Sequence, residues 1–243
     1  MTDPAGHSRR DLIAAAGGLS MLAALPGAAA DRAAAHGAAA EHAAAPPTPL
    51  AFRAVEALPL PFDPARLPGL SERLLRSHYD NNYMGSLKAL AVVNRRLGEL
   101  LATEDTPPYV YNALKREHLT RTNSVVLHDL YFANLGGGGQ ADAKARTAIA
   151  ADFGTFDTWE TEFRLLGAGL AGGSGWVVLG YNLHTRRLEN YTLADHAHGA
   201  NACVPNLVMD MYEHAYQMDY GAAAAKYIDA FFANIRWEAV AAR

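Results

Sequence analysis

Two long runs of helical periodicity, separated by Pro107-Pro108, constrain this chain more than any other feature. In the first, Ser71 is placed to cap a helix in which Leu74, Leu75, His78, Tyr79 and Asn82 recur at helical spacing. The pattern continues through Leu87, Leu90, Val93, Leu97 and Leu101, with a bend expected near Gly85. In the second, residues 109–134 carry Leu119, Val126, His128, Leu130 and Tyr131 on an amphipathic stretch that Gly136 to Gly139 end. Proline does not sit in a helix interior, so the two runs fold back on each other as a helical hairpin. Beyond the glycines the pattern changes. Residues 141–153 and 156–170 read as helices, the latter opened by Thr155 or Asp157. Strand-like runs follow at 175–180, 188–193 and 204–209, with 181–185 as the turn between the first two and His184 a loop residue within it. Two closing helices are expected, one from Tyr212 and one over 222–241. The sum is an α+β fold: a long helical hairpin over residues 51–137, then a C-terminal α/β domain over residues 138–243 with a small three-stranded antiparallel sheet.

The first 50 residues read as address and linker. Ser8-Arg9-Arg10 precedes a weakly apolar segment, 14–25, which ends near Ala28-Ala29-Ala30. Basic pair, short apolar core and small-residue exit, in that order, resemble a twin-arginine export signal over residues 1–30, so the mature protein is expected to be periplasmic or secreted. The alternative is an Ala-rich tail with adjacent arginines. Residues 31–50 are an Ala- and Pro-rich tract, read as a disordered linker, and His36 and His42 within it as solvated. The following Leu58-Pro59-Leu60-Pro61-Phe62-Asp63-Pro64 cannot be an internal strand or helix and is expected to run extended over the surface.

Composition excludes several function classes. With Lys+Arg 21 and Asp+Glu 25 the net charge is −4, which suits neither a nucleic-acid partner nor an anionic membrane surface. No uninterrupted apolar run is long enough to span a bilayer, so no membrane association is expected once the signal is removed. Cys203 is the single cysteine; it can form neither an intrachain disulfide nor a thiolate cluster, and it reads as a buried small hydrophobe.

The chemistry concentrates in Asp210-Met-Tyr-Glu-His214-Ala-Tyr216, directly after the apolar run 204–209. A strand there leaves Asp210 at its end and His214 in the first turn of the next helix, able to face one point. Such a pair is either a hydrogen-bonded couple or half of a metal site, and mixed oxygen and nitrogen donation suits Mn, Fe or Zn. His78 and His128 each lie near the apolar stripe of their own hairpin helix. Either alone reads as a satisfied core histidine. Together with Asp210 and His214 they make a candidate four-donor set. Three neutral imidazoles and one carboxylate leave a divalent ion at net +1 with room for a water, the open position that marks a catalytic centre.

These residues carry a resemblance. The segment Asp210-Met-Tyr-Glu-His214-Ala-Tyr216 is similar to the signature D-x-[WY]-E-H-A-[YF] of the iron/manganese superoxide dismutases. Gly173-Ser-Gly-Trp176, Leu127-His-Asp-Leu-Tyr-Phe-Ala-Asn-Leu135 and Phe153-Gly-Thr-Phe156 extend the likeness over residues 55–241. The resemblance implies His78, His128, Asp210 and His214 as ligands of one Fe or Mn ion per subunit, superoxide as substrate, and assembly as a homodimer or homotetramer. It implies that His196, or neighbouring His198, hydrogen-bonds the metal-bound solvent. Trp176 is then the aromatic wall of the site or a plain core residue. Glu213 either reaches across the dimer to the partner's last histidine ligand or is a solvated carboxylate at a helix start.

The entrance departs from the family pattern. A His-His pair and a gateway tyrosine are expected after the first ligand, where this chain has Asn82-Tyr83 and Ser86. Gln217 replaces the tyrosine that bonds the gateway histidine across the interface, so Asn82 and Gln217 could form a substitute contact. The basic residue that helps to draw in the anion is missing from 221–225, leaving Lys226 nearby. The reading is an exported superoxide dismutase. The alternative is a metalloprotein of the same fold, with an altered gateway and a different redox or metal-binding role.

Overall fold

A computed structural model describes residues 52–243; the expected signal and the linker that follows it lie outside the described residues. Ser71 caps helix α1 (Glu72–Ser77), its hydroxyl accepting the Leu74 N–H at 3.1 Å. The helix does not run on in α geometry. Residues His78–Tyr83 form a π-helical turn before helix α2 (Met84–Leu101) begins. Such turns carry one residue more than the α repeat and recur at functional sites. Here the turn corrects the sequence reading, because Tyr83 rather than Asn82 shares the buried side with His78. Where a bend is expected near Gly85, the departure from α geometry is this turn, and Gly85 itself lies inside α2.

Helix α3 (Pro108–Ala133) opens with Pro108 in the first turn, where its missing N–H costs nothing, and packs against α2 as the hairpin. Ahead of the hairpin, the proline-rich segment is clamped by two phenols of the π turn. Leu58 N–H donates to the Tyr83 oxygen at 2.8 Å, and the Tyr79 O–H donates to the Leu58 carbonyl at 2.8 Å.

The C-terminal half supplies helices α4 (Ala143–Phe153) and α5 (Phe156–Gly169), capped by Asp142 and Thr155. The sheet has strands β1 (Trp176–Asn182), β2 (Arg187–Leu193) and β3 (Cys203–Asp210) in the order β2-β1-β3, with both pairings antiparallel. Central β1 is buried over Trp176–Gly180 and joins both neighbours. A register shift at Leu179/Gly180 lets Asn206 bulge out of edge strand β3, its side-chain oxygen accepting the Tyr181 N–H at 3.1 Å. Edge position and bulge together accommodate Pro205, which has no N–H to give. Cys203 is half-buried at the start of this edge strand rather than enclosed.

After the sheet come a single 3-10 turn (Glu213–Ala215) and the short helices α6 (Gln217–Tyr220), α7 (Ala224–Ala233) and α8 (Trp237–Ala241). The expected helices from Tyr212 and over 222–241 are therefore interrupted. The break between α7 and α8 is imposed by partners outside the segment. Asn234 Nδ2 donates to the Pro68 carbonyl at 2.7 Å, and Arg236 N–H donates to the Asn134 carbonyl at 2.7 Å. Gly137 packs so closely on the Ile235–Arg236 backbone that a Cβ has no room there. One apolar core, including Leu74, Tyr131, Trp159, Trp176, Met209 and Phe231, runs through hairpin and sheet alike.

Candidate metal centre

Four segments converge where the hairpin meets the sheet. Asp210 ends β3 opposite Trp176 of β1, and the next residue's N–H (Met211) donates to the Gly175 carbonyl at 2.9 Å. Gly175 has φ 141, and a Cβ there would meet the Leu193 carbonyl oxygen, so glycine is required at this crossing. The Asp210 side chain then shapes its own exit: Oδ1 accepts the Tyr212 N–H at 2.8 Å, an Asx turn that feeds the 3-10 turn carrying His214. Tyr227 anchors the same residue from behind, its hydroxyl donating to the Asp210 carbonyl at 2.6 Å.

The structure brings His78, His128, Asp210 and His214 together as the sequence suggested. Each offers one donor atom, and all four lie within 4.8 Å of one another. Asp210 Oδ2 is 3.1 Å from His78 Nε2, 3.7 Å from His128 Nε2 and 3.0 Å from His214 Nε2. The His78 and His128 Nε2 atoms are buried and have no hydrogen-bond partner. Buried polar atoms are rarely left so. His128 Nδ1 lies 2.7 Å from the Ser124 carbonyl and donates to it, so its Nε2 presents a lone pair to the cluster. Orphaned nitrogens facing one carboxylate, at a spacing one ion could reach with bonds of about 2.1 Å, fit a mononuclear metal.

Electrostatics agree. Burial pushes the His78 imidazole below its ordinary range, and burial with neighbouring His78 takes His128 down to about 3. Both are therefore neutral donors at neutral pH. Burial alone would raise the Asp210 carboxyl, yet the facing imidazoles of His214 and then His78 outweigh it and hold the group well below the usual carboxylate range.

The cluster opens on a cavity of about 430 Å³ whose lining includes Asn82, Ser86, Arg121, His196, Tyr212 and His214. Of the two expected candidates His196 lines it; His198 is exposed and bonded to Asp195 at 2.6 Å. Trp176 is wholly buried, 5.0 Å from the His128 ring and 5.6 Å from that of His196, between core and site. Glu213 is exposed beside His214, and Gln217 is exposed on α6. The vacancy left at Ser86 is not filled by Tyr83, whose hydroxyl is committed to Leu58 and which lines a separate cavity with Asp129 and Phe132. Ser86 Oγ instead pairs with Ser124 Oγ at 2.8 Å.

Three residues here escaped the sequence reading. Ser124 is one helical turn before His128, a spacing that could have flagged it. Arg121, held by Glu117 at 2.6 Å, brings a cation to the cavity from α3 rather than from 221–225. Tyr212 stacks on His196 and His214, with ring centroids 4.8 and 5.2 Å away, and no periodicity announces that.

The wider comparison agrees with this geometry. Residues 141–243 match the family model described as iron/manganese superoxide dismutases, C-terminal domain. The chain is 50% identical over 189 residues to the superoxide dismutase [Fe] of Cupriavidus metallidurans, covering 77% of this chain and 95% of that protein. It is 31% identical to the superoxide dismutase [Mn] 1 of Halobacterium salinarum, over 75% of this chain and 91% of that one. The superoxide dismutase [Fe] of Aquifex aeolicus is also 31% identical, over 73% and 85%. Helical hairpin, three-stranded sheet, four convergent donors and these relatives give one conclusion: the chain belongs to the iron/manganese superoxide dismutase family.

Proposed function

We propose that this protein is a superoxide dismutase in which His78, His128, Asp210 and His214 hold a single Fe or Mn ion. It would convert two superoxide ions and two protons into dioxygen and hydrogen peroxide. The observation that carries the reading is the convergence of three imidazoles and one carboxylate within 4.8 Å beneath an open polar cavity. A bound Fe or Mn ion supplies a one-electron couple between its +2 and +3 states.

The chain's residues do the rest. Neutral His78 and His128 with anionic Asp210 leave the bound ion positive, which favours an incoming anion. Arg121 adds a cation on the route. His196 lines the cavity with its Nε2 buried and unpartnered, a group able to hold a hydrogen bond to solvent or substrate. Trp176 packs behind His128 and His196 and excludes water from the sheet side. Glu213, exposed next to His214, supports the proposal of a homodimer in which it meets the partner subunit. The order Ser8-Arg9-Arg10, apolar segment and alanines supports export of the folded protein by the twin-arginine route.

Purified protein with quantified metal tests the reading. We expect close to one Fe or Mn per subunit and superoxide consumption well above that of the free ion. Metal-loaded protein with no such activity would sink the dismutase assignment and favour the same-fold metalloprotein, whose supporting observation is the Ser86–Ser124 pair at the gateway position. His214→Ala is expected to abolish metal retention. Full retention would remove His214 from the ligand set.

A further inference from the structure

We propose that Tyr212 is a positioning residue: its phenol donates to His196 Nδ1 and so fixes the imidazole hydrogen on Nε2. The inference rests on the dismutase reading only for its catalytic consequence. The geometry stands by itself. Tyr212 Oη lies 3.2 Å from His196 Nδ1, and the two rings stack with centroids 4.8 Å apart and planes 13° from parallel. The opposite face of the arrangement is held by His214, whose ring is 5.2 Å from that of Tyr212 and inclined by 17°. The backbone of His196 is fixed as well, since Asn123 Nδ2 donates to its carbonyl at 2.8 Å. Nε2 is then the one ring atom left without a partner, and it is buried.

A neutral imidazole has one donor and one acceptor nitrogen, and the partner of one nitrogen decides the role of the other. With the phenol donating to Nδ1, Nε2 is a donor, suited to an anionic substrate or to hydroxide. With Nδ1–H donating to the phenol, Nε2 would be an acceptor and would repel both. Since Ser86 leaves the hairpin side without a phenol, the cavity's phenol comes from the 3-10 turn region, next to the donor cluster, and acts through His196.

The test uses Tyr212→Phe, which keeps the stacked ring and removes the hydroxyl. In metal-free wild-type protein labelled with nitrogen-15 histidine, NMR is expected to show His196 as a single Nε2–H tautomer. Tyr212→Phe is expected to give a mixture, with an unchanged melting temperature. In metal-loaded protein the same substitution is expected to lower kcat/KM by about tenfold, the lower range for a residue that orients a site through another. Azide binding, followed by visible absorption, should weaken in parallel. In a His196→Ala background, adding Tyr212→Phe should change azide affinity less than twofold, because the two act as one unit. An Nδ1–H tautomer in the wild type overturns the proposal, and so does an equal loss of azide affinity in the His196→Ala background. The NMR readout needs no metal, so its failure leaves the dismutase assignment standing. Absence of dismutation in a protein with the Nε2–H tautomer sinks that assignment and leaves the phenol–imidazole geometry.

Discussion

The donor cluster and the cavity above it obey different rules. His78, His128 and Asp210 are each essentially buried, and each is fixed by backbone: a π turn, a long helix and the end of a strand. Around the cavity, Asn82, Ser86, Arg121 and Tyr212 come from the π turn, α2, α3 and the chain just after β3, with exposure ranging from buried to half-open. An ion demands particular atoms at particular separations, so the inner set has few solutions. A polar approach route demands only donors and a favourable potential, which several elements can supply. That is why the inner set matches the family signature while the expected gateway residues are absent, with a phenol and a guanidinium arriving from elsewhere.

Breaking the inner set should cost most. Asp210→Asn keeps the shape and removes the charge that three imidazoles face; metal affinity is expected to fall by more than ~100-fold, beyond the usual cost of changing a ligand's supporting partner. Equilibrium dialysis with Mn or Fe measures it, and unchanged affinity would place the ion elsewhere.

Next in size is the acid sensitivity of the metal-free protein. His128 has a folded pKa of about 3 against an ordinary 6.5, so between those values the unfolded chain binds the extra proton. Its stabilising contribution is therefore complete above about pH 6.5 and is lost as the pH falls toward 3. Asp210, depressed from its ordinary 3.8, adds its own loss below that value. The slope approaches about 1.4 kcal/mol per pH unit for one fully linked proton. Urea unfolding of metal-free protein from pH 7 to pH 4 should show it. Stability that rises on acidification would contradict neutral buried imidazoles.

The cavity should respond more weakly and with a different signature. Arg121→Gln is expected to reduce kcat/KM by about three- to tenfold at low salt and to leave metal content unchanged, with the deficit shrinking at high ionic strength. A salt-independent deficit would assign Arg121 a packing role instead. Smallest of all, Tyr83→Phe removes the hydrogen bond to Leu58 and should cost about 1 kcal/mol of stability, with turnover unaffected. Loss of turnover would return Tyr83 to the gateway.

Legibility follows the same division. The hairpin, the three strands, the caps at Ser71 and Thr155 and the four donors were all readable, because periodicity, proline breaks and a D-x-x-x-H spacing are local signals. Readings failed where distant partners decide the outcome. The interruption at Asn234–Arg236 depends on Pro68, Asn134 and Gly137, which no local pattern in 222–241 contains. Tyr212 looked like one more residue of a signature, and only the folded chain lays it against His196. Nothing in the local pattern of α3 singles out Arg121, which only the fold brings to the cavity.

The π turn has one more consequence. Along α1 the buried residues are Leu74 and Leu75, with His78 just after; along α2 they include Ser86, Leu87, Leu90, Val93 and Leu97. At about 100° per residue, the mean inward directions of these two groups differ by about 100°, the rotation of a single residue. The wider π turn takes up that one extra residue, so both segments present their apolar sides inward, and His78 sits where the repeat changes. The first segment packs on the turns at Pro64–Arg66 and Glu213–Ala215, the second on α3. Deleting one residue from 79–82 would let an unbroken α-helix keep both apolar sides inward, and the cost would fall on the turn itself, where Tyr79 and Tyr83 hold Leu58.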